Sequence, residues 1–487
     1  MIRVDGRTLR CADVVTAART GGPLGIDVSI AALRAAEHAW KLAEDLSTRR
    51  LVYGRTTGVG ANKDDTVESS REHGLRLLRS HAGGIGVPVA GPAIRTMLAV
   101  RANQLLAGGA GLSTVVIEAI VTALNANALP AIHEYGAVGT ADLTALAELG
   151  LTLLGEAPWT GAGPRPVPFG PGDALALMSS SALTIGRACL AWSEATRWLN
   201  AAHAVAALTF IAVDGSAEPY AQTVHERKPH LGSMTSARLL RALLDGQSVK
   251  SARIQDPYAI RCVPQIHGAA LTALDDAERV LAVEINAAAE NPLVSAAEDA
   301  VFHHGGSHQV YLTQAVEALN LALLAVGQLS LARINLLFQP EFTGLRPFLA
   351  DGEAASSGVM ILENAAHAAL ADLRNAAVPA SLGHAVLSRG VEDHSPFTSQ
   401  AVRQADRAGA ALRLILASEL VAAMRALRLR GYVPMEGTPL GTLYALAAPL
   451  DPTTTDRSTT ADVHEAADLL PTIGAQAARS VPSIADV

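Results

Sequence analysis

Aromatic residues, lysine and cysteine are all scarce in this chain of 487 residues. Aromatic residues make up 4% of the sequence although 49% of it is apolar, so alanine and leucine have to supply the core. Such a composition favours closely packed helices over β-sheet. The three cysteines are scattered, without the spacing of a metal site or the even number of a disulfide framework, as is usual in a reducing compartment.

Basic runs and long hydrophobic segments are also missing. The formal net charge is −8, which argues against a nucleic-acid partner. The first residues contain no signal-peptide core, and the most apolar stretch, residues 201–213, contains His203 and is too short to span a bilayer. We therefore expect a soluble, cytoplasmic protein without membrane association. Four of the 38 basic residues are lysines, and this arginine bias is typical of a GC-rich bacterial genome.

Helical patterns run through the second half of the chain. Apolar residues recur there at steps of three and four over broad faces, as in the centre of a helix bundle. Four long patterns and one shorter pattern cover residues 265–291, 310–338, 358–374, 398–430 and 461–470. We predict an all-α fold with a loop-rich N-terminal part over residues 1–200 and a bundle of long helices over residues 201–487.

The most informative stretch is a glycine-rich turn that leads into a helix, Gly136-Ala-Val-Gly-Thr-Ala-Asp-Leu143. It resembles the signature loop of the histidine and aromatic amino-acid ammonia-lyases. In that family Ala-Ser-Gly precedes Asp-Leu and cyclises into an electrophilic prosthetic group, methylidene-imidazolone (MIO). Here only Thr140 and Ala141 lie between Gly139 and Asp142, so the serine is absent and the loop is one residue shorter. We predict that MIO does not form and that the protein has no cofactor.

Two interpretations of this degenerate cofactor loop remain open. In the one we favour, Thr140 is the N-cap of the following helix and Asp142 lies in its first turn, where a carboxylate suits the helix dipole. In the other, Gly139, Thr140 and Ala141 form an unusual ring, although alanine then stands where glycine is best suited to the closure.

Two further motifs resemble segments that carry catalytic residues in this family. Tyr53-Gly-Arg-Thr-Thr-Gly-Val-Gly60 is similar to the lid whose tyrosine is the general base. A phenol has an ordinary pKa of about 10, so that role needs cationic neighbours or a helix N-terminus. Gln255-Asp-Pro-Tyr-Ala-Ile-Arg-Cys-Val-Pro-Gln265 is the most extensive match. The resemblance implies that Arg261 binds a substrate carboxylate, that Tyr258 assists proton transfer or orients the electrophile, and that Gln255 belongs to the substrate site.

Three polar residues are implied in substrate recognition by the same resemblance. His81, in Ser80-His-Ala-Gly-Gly-Ile-Gly86, matches the histidine that recognises the substrate ring, and it points to a polar or hydroxylated group there. Glu392, in Val391-Glu-Asp-His-Ser-Pro396, matches the glutamate that meets the substrate amine or imidazole. Glu363 stands where glutamine is expected, and it either binds an amine or pairs with an arginine at a subunit interface.

The departures from the family cluster around the missing prosthetic group. Ser179 replaces the asparagine that supports MIO, and His308 replaces the phenylalanine that packs beside it, so both become candidate substrate-binding residues. The substrate-contacting positions match the family while these two do not, and this pattern favours a working site with different chemistry. His303, His304 and His308 lack the spacing of a zinc site, and we predict no metal.

The resemblance covers about residues 5–470 and implies an ammonia-lyase-like (fumarase/aspartase-like) fold and a homotetramer whose sites combine residues from three chains. Our first hypothesis is an enzyme that acts without MIO on an amino acid or a related β-substituted or unsaturated carboxylate. Elimination, addition, isomerisation and cyclisation, in specialised metabolism, are all open to such a site. The alternatives are a non-catalytic partner of an active lyase and a conventional histidine or tyrosine ammonia-lyase with an unusual ring. All three share one fold.

Overall fold

The computed structural model describes residues 2–480 except 21, 23, 249, 250 and 252. About 60% of the chain is helical and the strands are short, which confirms the all-α prediction. The chain forms two compact units, each assembled from three stretches. The first comprises Met1–Ser193, Ala277–Val316 and Pro379–Arg403, and the second comprises Glu194–Asp276, Glu317–Val378 and Gln404–Val487. The domain boundary near residue 200 stays a prediction.

The first unit contains seven complete helices and four strand pairs among the residues that the structure describes. The helices are α1 (Cys11–Arg19), α2 (Ile30–Arg49), α3 (Arg71–His81), α4 (Gly91–Leu105), α5 (Thr114–Ala126), α6 (Leu143–Leu154) and α7 (Asp173–Met178). β1 (Ile2–Val4) pairs in parallel with β2 (Ile26–Val28). The antiparallel pairs are β3 (Ile85–Pro88) with β5 (His133–Tyr135), β4 (Leu129–Pro130) with β6 (Trp159–Thr160), and β7 (Leu293–Ser295) with β8 (Ala300–Phe302).

One face of α2 packs on the β7–β8 hairpin. Ala39, Ala43 and Leu46, at steps of four and three along the helix, join Val294 and Val301 in a buried apolar cluster. An amphipathic helix buries one stripe of its surface in this way. The packing fixes the loop that follows the hairpin, and that loop carries several site residues.

Helices α3, α6 and α7 pack against one another. Gly150 of α6 permits a close approach, because a Cβ atom there would lie 2.6 Å from the side chain of Leu78 in α3. His81 at the end of α3, Leu143 at the start of α6 and Ser179 just after α7 consequently line the same cleft.

Helix α4 is buried on every side, although it contains two arginines. The guanidinium group of Arg101 donates to the carbonyl of Leu177 (3.0 Å), the carboxylate of Glu290 (2.8 Å) and the carbonyl of Ala176. A buried guanidinium group has to be paired in this way. Arg101 therefore fixes the end of α7 relative to residue 290.

Among the described residues, four long helices contribute to both units, and seven others lie wholly in the second. The long helices are α8 (Ala182–Ala212), α12 (Val263–Ile285), α13 (Val310–Leu337) and α16 (Thr398–Leu429). The others are α9 (Gln222–Glu226), α10 (Leu231–Leu244), α11 (Tyr258–Arg261), α14 (Pro340–Thr343), α15 (Ile361–Ala376), α17 (Pro439–Leu446) and α18 (Thr460–Arg479).

A buried carboxylate joins three of these helices inside the second unit. Glu419 of α16 accepts hydrogen bonds from Arg333 Nε (2.6 Å) and Nη2 (2.8 Å) of α13. It also accepts from the hydroxyl groups of Thr209 in α8 (2.7 Å) and Ser330 in α13 (2.5 Å). Both charged side chains are fully buried, so the pair is compensated by its own contacts.

The predicted ends of two helices are wrong, and one long helix, α8, is absent from the predicted patterns. Helix α12 ends at Ile285, before the predicted stop at 291, because the Asn286 side chain bonds to the backbone N–H (3.1 Å) and carbonyl (2.9 Å) of Leu9. Helix α18 continues past Pro471 to Arg479. Helix α8, with 31 residues, is apolar around most of its circumference and so gives a weak periodic signal.

The apolar helices are also longer than expected. The segments Asp173–Ala212 and Val310–Leu337 are long and apolar enough to cross a membrane by composition alone, so the expectation that no stretch is long enough is wrong. In their most apolar windows, 89% and 56% of the residues are buried inside the protein. They are core helices of a folded protein.

Candidate functional site

A cleft of about 860 Å³ lies in the first unit. The predicted lid after α2, the ends of α3, α6 and α7, the loop after β8 and the segment before α16 line it. The lining includes Tyr53, His81, Thr140, Ala141, Ser179, His303, His304, His308, Glu392 and His394. Most of the predicted site residues of this unit therefore meet in one place.

The degenerate cofactor loop is anchored on both of its flanks. The carbonyl of Val138 accepts a hydrogen bond from the N–H of Phe397 (2.8 Å), and the carbonyl of Gly139 accepts one from the N–H of Gln309 (3.0 Å). Gly139 has a φ of 95°, and a Cβ atom there would lie 2.8 Å from the backbone nitrogen of Thr398. Glycine is therefore required at this position.

Ala141 adopts a conformation that normally belongs to glycine. Its φ is 116°, in a region where a Cβ atom crowds the backbone. The next residue is fixed as well, because the N–H of Asp142 donates to the carbonyl of Ser180 (2.7 Å). The loop thus holds a strained alanine at the wall of the cleft.

The predicted N-cap is wrong. Helix α6 begins at Leu143 and its N-cap position is Asp142, not Thr140, which lines the cleft instead. The Asp142 carboxylate accepts hydrogen bonds from the N–H and the hydroxyl group of Thr184 (both 2.8 Å), so it caps the start of α8 rather than α6. Burial raises the pKa of Asp142 to about 6, although these bonds act in the opposite direction.

Tyr53, the first residue of the predicted lid, is held by two hydrogen bonds that involve backbone N–H groups. Its N–H donates to His303 Nε2 (3.1 Å), and its phenolic oxygen accepts from the N–H of Gly60 (2.7 Å). Burial raises the pKa of Tyr53; the Gly60 bond lowers it and the charge of Glu392 raises it further. The side chain is therefore a neutral phenol at neutral pH, whereas a general base would need neighbours that favour the phenolate.

His81 is the last residue of α3. Its Nδ1 atom lies 2.9 Å from the carbonyl oxygen of Leu77, a contact that requires the hydrogen on Nδ1. The Nε2 atom is then an acceptor. This arrangement suits the expected contact with a hydroxyl or N–H group of a substrate.

Ser179 lies at the floor of the cleft. Its Oγ accepts a hydrogen bond from the N–H of Asn291 (2.8 Å). A pocket of about 10 Å³, room for about one water molecule, extends from Tyr53 and Ser179 to Glu290. Burial raises the pKa of Glu290 although Arg101 lowers it, and its Oε2 has no hydrogen-bond partner among the described residues.

The histidines after β8 are already engaged. His303 Nε2 accepts from Tyr53, and His304 Nδ1 accepts from the N–H of Gly306 (2.8 Å). His304 Nε2 lies 2.8 Å from the carbonyl of Glu290, to which it donates. Within the part of the chain that the structure describes, no group of three histidine, cysteine, aspartate or glutamate side chains could hold a metal ion.

His308 and His394 form a hydrogen-bonded pair of imidazoles. His308 Nε2 lies 3.0 Å from His394 Nδ1, and the ring centroids are 5.1 Å apart. Burial is the main cause that lowers the pKa of His308, and the neighbouring His394 lowers it further. Both rings line the cleft.

Glu392 lies on a tight turn that is joined to the lid. The N–H of Leu387 donates to the carbonyl of Glu392 (2.7 Å), and Ser388 and Arg389 between them have φ values of 51° and 55°. The Oγ of Ser388 accepts from the N–H of Ala61 in the lid (2.8 Å). A hydrogen bond therefore joins the turn that bears Glu392 to the segment that follows Tyr53.

The charges of the cleft are mainly acidic. Asp64, Glu392 and Asp393 line it together with one lysine, Lys63, which pairs with Asp64. Such a lining favours a substrate group that is cationic or donates hydrogen bonds.

The remaining predicted site residues belong to the second unit. The guanidinium carbon of Arg261 lies 4.1 Å from the centroid of the Tyr258 ring, a cation–π contact. Arg261 Nε is buried without a hydrogen-bond partner among the described residues, as expected of a donor that awaits a ligand. Gln255 is exposed and Glu363, in the first turn of α15, is half-buried.

Sequence alone gives His394, Asn291 and Ser388 no role. His394 stands in the Glu392 motif, and the unexpected histidine at position 308 is the signal that could have pointed to a partner. Asn291 and Ser388 act through contacts between segments far apart in the chain, which no local spacing predicts.

Known proteins are similar to this chain along nearly its whole length. A family model described as aromatic amino acid lyase matches residues 9–448. Histidine ammonia-lyase of Symbiobacterium thermophilum is 31% identical over 487 residues, with 96% of each chain covered. The crystal structure of tyrosine aminomutase from Streptomyces globisporus superposes with a TM-score of 0.90 at 26% identity, covering 99% of both chains. Ergothionase, an ergothioneine-degrading enzyme from Treponema denticola, superposes with a TM-score of 0.90 over 97% of this chain and 99% of its own, and at 23% identity it shows the fold alone.

Proposed function

The chain belongs to the aromatic amino acid lyase family, whose members are enzymes, and we propose that it acts without MIO on an amino acid or a related β-substituted or unsaturated carboxylate. It uses a tyrosine for proton transfer and an arginine to bind the carboxylate. The reaction is an elimination, an addition, an isomerisation or a cyclisation, and it belongs to specialised metabolism.

The observation that carries this proposal is the loop at residues 139–142. Only Thr140 and Ala141 separate Gly139 from Asp142, so no serine is available to dehydrate into the methylidene group. The residues present do not fit MIO formation, because Ala141 carries a Cβ atom at a φ of 116° in the place of the cyclising glycine. Ser179 and His308 replace the residues that serve the ring in the family, and both are committed to other contacts.

The proposed roles follow from the contacts of each side chain. Arg261 binds the substrate carboxylate through its fork, and its unpartnered Nε supports this role. Tyr53 transfers a proton at the lid, with Tyr258 assisting. Glu392 meets a cationic or N–H group, and His81 accepts a hydrogen bond from the substrate ring. Gln255, Ser179, His308 and Glu363 complete the proposed substrate contacts.

Without an electrophilic prosthetic group, a free α-amine is a poor leaving group. The substrate must instead carry a group that departs with its bonding electron pair, such as a trialkylammonium group, or a conjugated alkene that accepts an addition. Proton transfer and electrostatic stabilisation by side chains are sufficient for both reactions. We propose a cytoplasmic homotetramer whose sites combine residues of three chains, as the resemblance of the site motifs to the family implies.

The mass of the purified protein, and of the peptide that contains residues 139–142, tests the absence of the ring. We expect the unmodified mass. A peptide lighter by two water molecules would overturn the proposal, and the protein would then be assayed as an ordinary histidine or tyrosine ammonia-lyase.

A panel of substrates tests the activity. Histidine, tyrosine and phenylalanine are compared with their N,N,N-trimethyl derivatives, and the conjugated product is followed by its ultraviolet absorption. We expect turnover of trimethyl derivatives only. Tyr53→Phe and Arg261→Lys should each lower kcat/KM by about 10²-fold or more, while Tyr444→Phe on α17 keeps wild-type activity. Full activity of both site variants would refute the assignment of the site.

A further inference from the structure

The two imidazoles of His308 and His394 stand beside the degenerate cofactor loop, on segments that are fixed to it. The residue after His308, Gln309, donates its N–H to the carbonyl of Gly139 (3.0 Å). The segment of His394 is fixed by Phe397, which donates to the carbonyl of Val138 (2.8 Å). The two histidines are therefore held in fixed positions next to the loop at residues 139–142, which forms this side of the cleft.

The hydrogen bond between the rings is compatible with two arrangements of the hydrogens. In the first, His308 Nε2 donates to His394 Nδ1. In the second, His394 Nδ1 donates to His308 Nε2, and the lone pair of His394 Nε2 is unused in the pair.

His308 stays neutral for a physical reason. Burial and the neighbouring imidazole both lower its pKa. A neutral His308 can accept the N–H of His394 and so hold that ring in one orientation. In other enzymes a third group orients the catalytic base in the same way. His394 itself is exposed within the cleft, and its Nε2 is accessible to a ligand.

We propose, on the basis of the proposed function, that the pair adopts the second arrangement, with His394 as the base of the reaction, His308 as its positioning residue and Tyr53 as the acid. The tyrosine fits this division because its phenolic oxygen accepts from Gly60 while its own hydrogen remains for donation. In this assignment His394 removes a proton from the substrate and Tyr53 gives one to it.

The elimination balances with these groups alone. The Nε2 lone pair of His394 takes a proton from the carbon next to the one that bears the leaving group. The electron pair of that C–H bond becomes the new C=C bond, and the leaving group departs with the electrons of its own bond. The imidazolium then returns its proton to solvent. Where the leaving group is basic it takes a proton from Tyr53, and the Tyr53 phenolate regains a proton from solvent.

The first arm of the test needs no substrate. Diethyl pyrocarbonate acylates imidazole nitrogens through a free lone pair, and peptide mass spectrometry locates the label. In the wild-type protein we expect His394 to be labelled and His308 to be spared, with the exposed His464 of α18 as the internal reference. His308→Phe should reduce labelling of His394 relative to His464, because Nδ1 loses its acceptor. Equal labelling of His308 and His394 in the wild type would overturn the arrangement.

The second arm measures turnover of the N,N,N-trimethyl derivatives of histidine and tyrosine. We expect His394→Gln to lower kcat by about 10²- to 10⁴-fold, and dissolved imidazole to restore activity to His394→Gly. His308→Gln, whose amide oxygen can accept from Nδ1, should keep more activity than His308→Phe, and His464→Gln is the matched control. Unchanged kcat in His394→Gln, or a folded His394→Gly that imidazole does not rescue, overturns the assignment of the base. If no probe turns over in any variant, the proposed function fails, while the labelling still decides whether the pair is arranged as stated.

Discussion

At the scale of single residues, Ala141 carries the clearest conformational cost. Its φ of 116° is rare for any residue with a Cβ atom, and such strain costs about 1–3 kcal/mol. We expect Ala141→Gly to raise the free energy of unfolding by about 1 kcal/mol, because the relief of strain outweighs the greater entropy of an unfolded glycine. Denaturation with guanidinium chloride measures the change.

The control for this substitution lies four residues further along the chain. Ala145 is buried in α6 with helical backbone, so Ala145→Gly should lower the free energy of unfolding by about 1 kcal/mol. An Ala141→Gly variant that loses as much stability as Ala145→Gly would show that the loop is not strained.

The buried carboxyl group of Asp142 makes the stability of the fold depend on pH. Its pKa is about 6 in the folded chain and about 3.8 when exposed, so between these values the folded state holds the proton that the unfolded state has lost. The contribution of Asp142 is therefore fully present below pH 3.8 and is lost as the pH rises through 6, by about 3 kcal/mol at most. Asp142→Asn should remove this dependence.

Urea unfolding at a series of pH values between 4 and 7 checks the prediction. The variant should show a flatter profile than the wild type across this range. Asp27→Asn, on exposed strand β2, should follow the wild-type profile. Parallel profiles for the wild type and Asp142→Asn would contradict a raised pKa at this site.

The sequence predicts which residues gather at the site but not the bonds that hold them. Tyr53, His81, Ser179, His308 and Glu392 were all expected there because local motifs carry them, and all five line one cleft. The local N-cap prediction fails because the competing partner of Asp142, Thr184, lies 42 positions away. Non-local partners of this kind leave no periodic signal in the sequence.

At the scale of elements, a buried ion pair links α13 to α16, and its carboxylate also bonds to α8. Glu419→Gln leaves the buried charge of Arg333 without its counter-ion, and we expect a loss of about 3–5 kcal/mol in the free energy of unfolding. The double variant with Arg333→Met should lose less than the sum of the single variants, because neither charge is then left alone. Chemical denaturation of the four proteins gives the coupling.

An exposed ion pair on the same helix provides the comparison. Arg413 of α16 pairs with Asp468 of α18, whose carboxylate is 78% exposed, so Asp468→Asn should cost no more than about 1 kcal/mol. Equal losses for Glu419→Gln and Asp468→Asn would mean that burial does not control the energy of the pair at Glu419.

The ends of helices can be predicted from the sequence where the pattern of apolar side chains alone determines them. The start of α13 at Val310 and of α16 at Thr398 agree with the periodic patterns to the residue. The end of α12 does not, since Asn286 bonds to the backbone of Leu9 near the start of the chain. Helix α8 was not predicted for a different reason. A helix that is buried on all sides has no polar face, so its sequence shows no alternation of apolar and polar residues with the helical period.

At the scale of the whole molecule, α13 has a stripe of uncharged side chains that its own chain leaves exposed. Tyr311, Gln314, Ala318, Leu321 and Gln328 are exposed and follow steps of three, four, three and seven residues. These steps are those of a heptad seam, which packs on another helix. Only 56% of the most apolar window of α13 is buried, so the stripe supports the proposed homotetramer.

Leu321 is the residue at which this stripe is best tested. Leu321→Glu places a carboxylate in the middle of the seam, and its desolvation in a helix–helix contact is unfavourable. We expect light scattering to show four chains for the wild type and a smaller species for the variant, with unchanged helical content by circular dichroism. Thr48→Glu, at an exposed polar position of α2, adds the same charge and should keep the wild-type assembly. A monomeric wild type, or a Leu321→Glu protein that still contains four chains, would contradict an interface at this stripe. If the site is shared between chains, loss of assembly should also lower turnover.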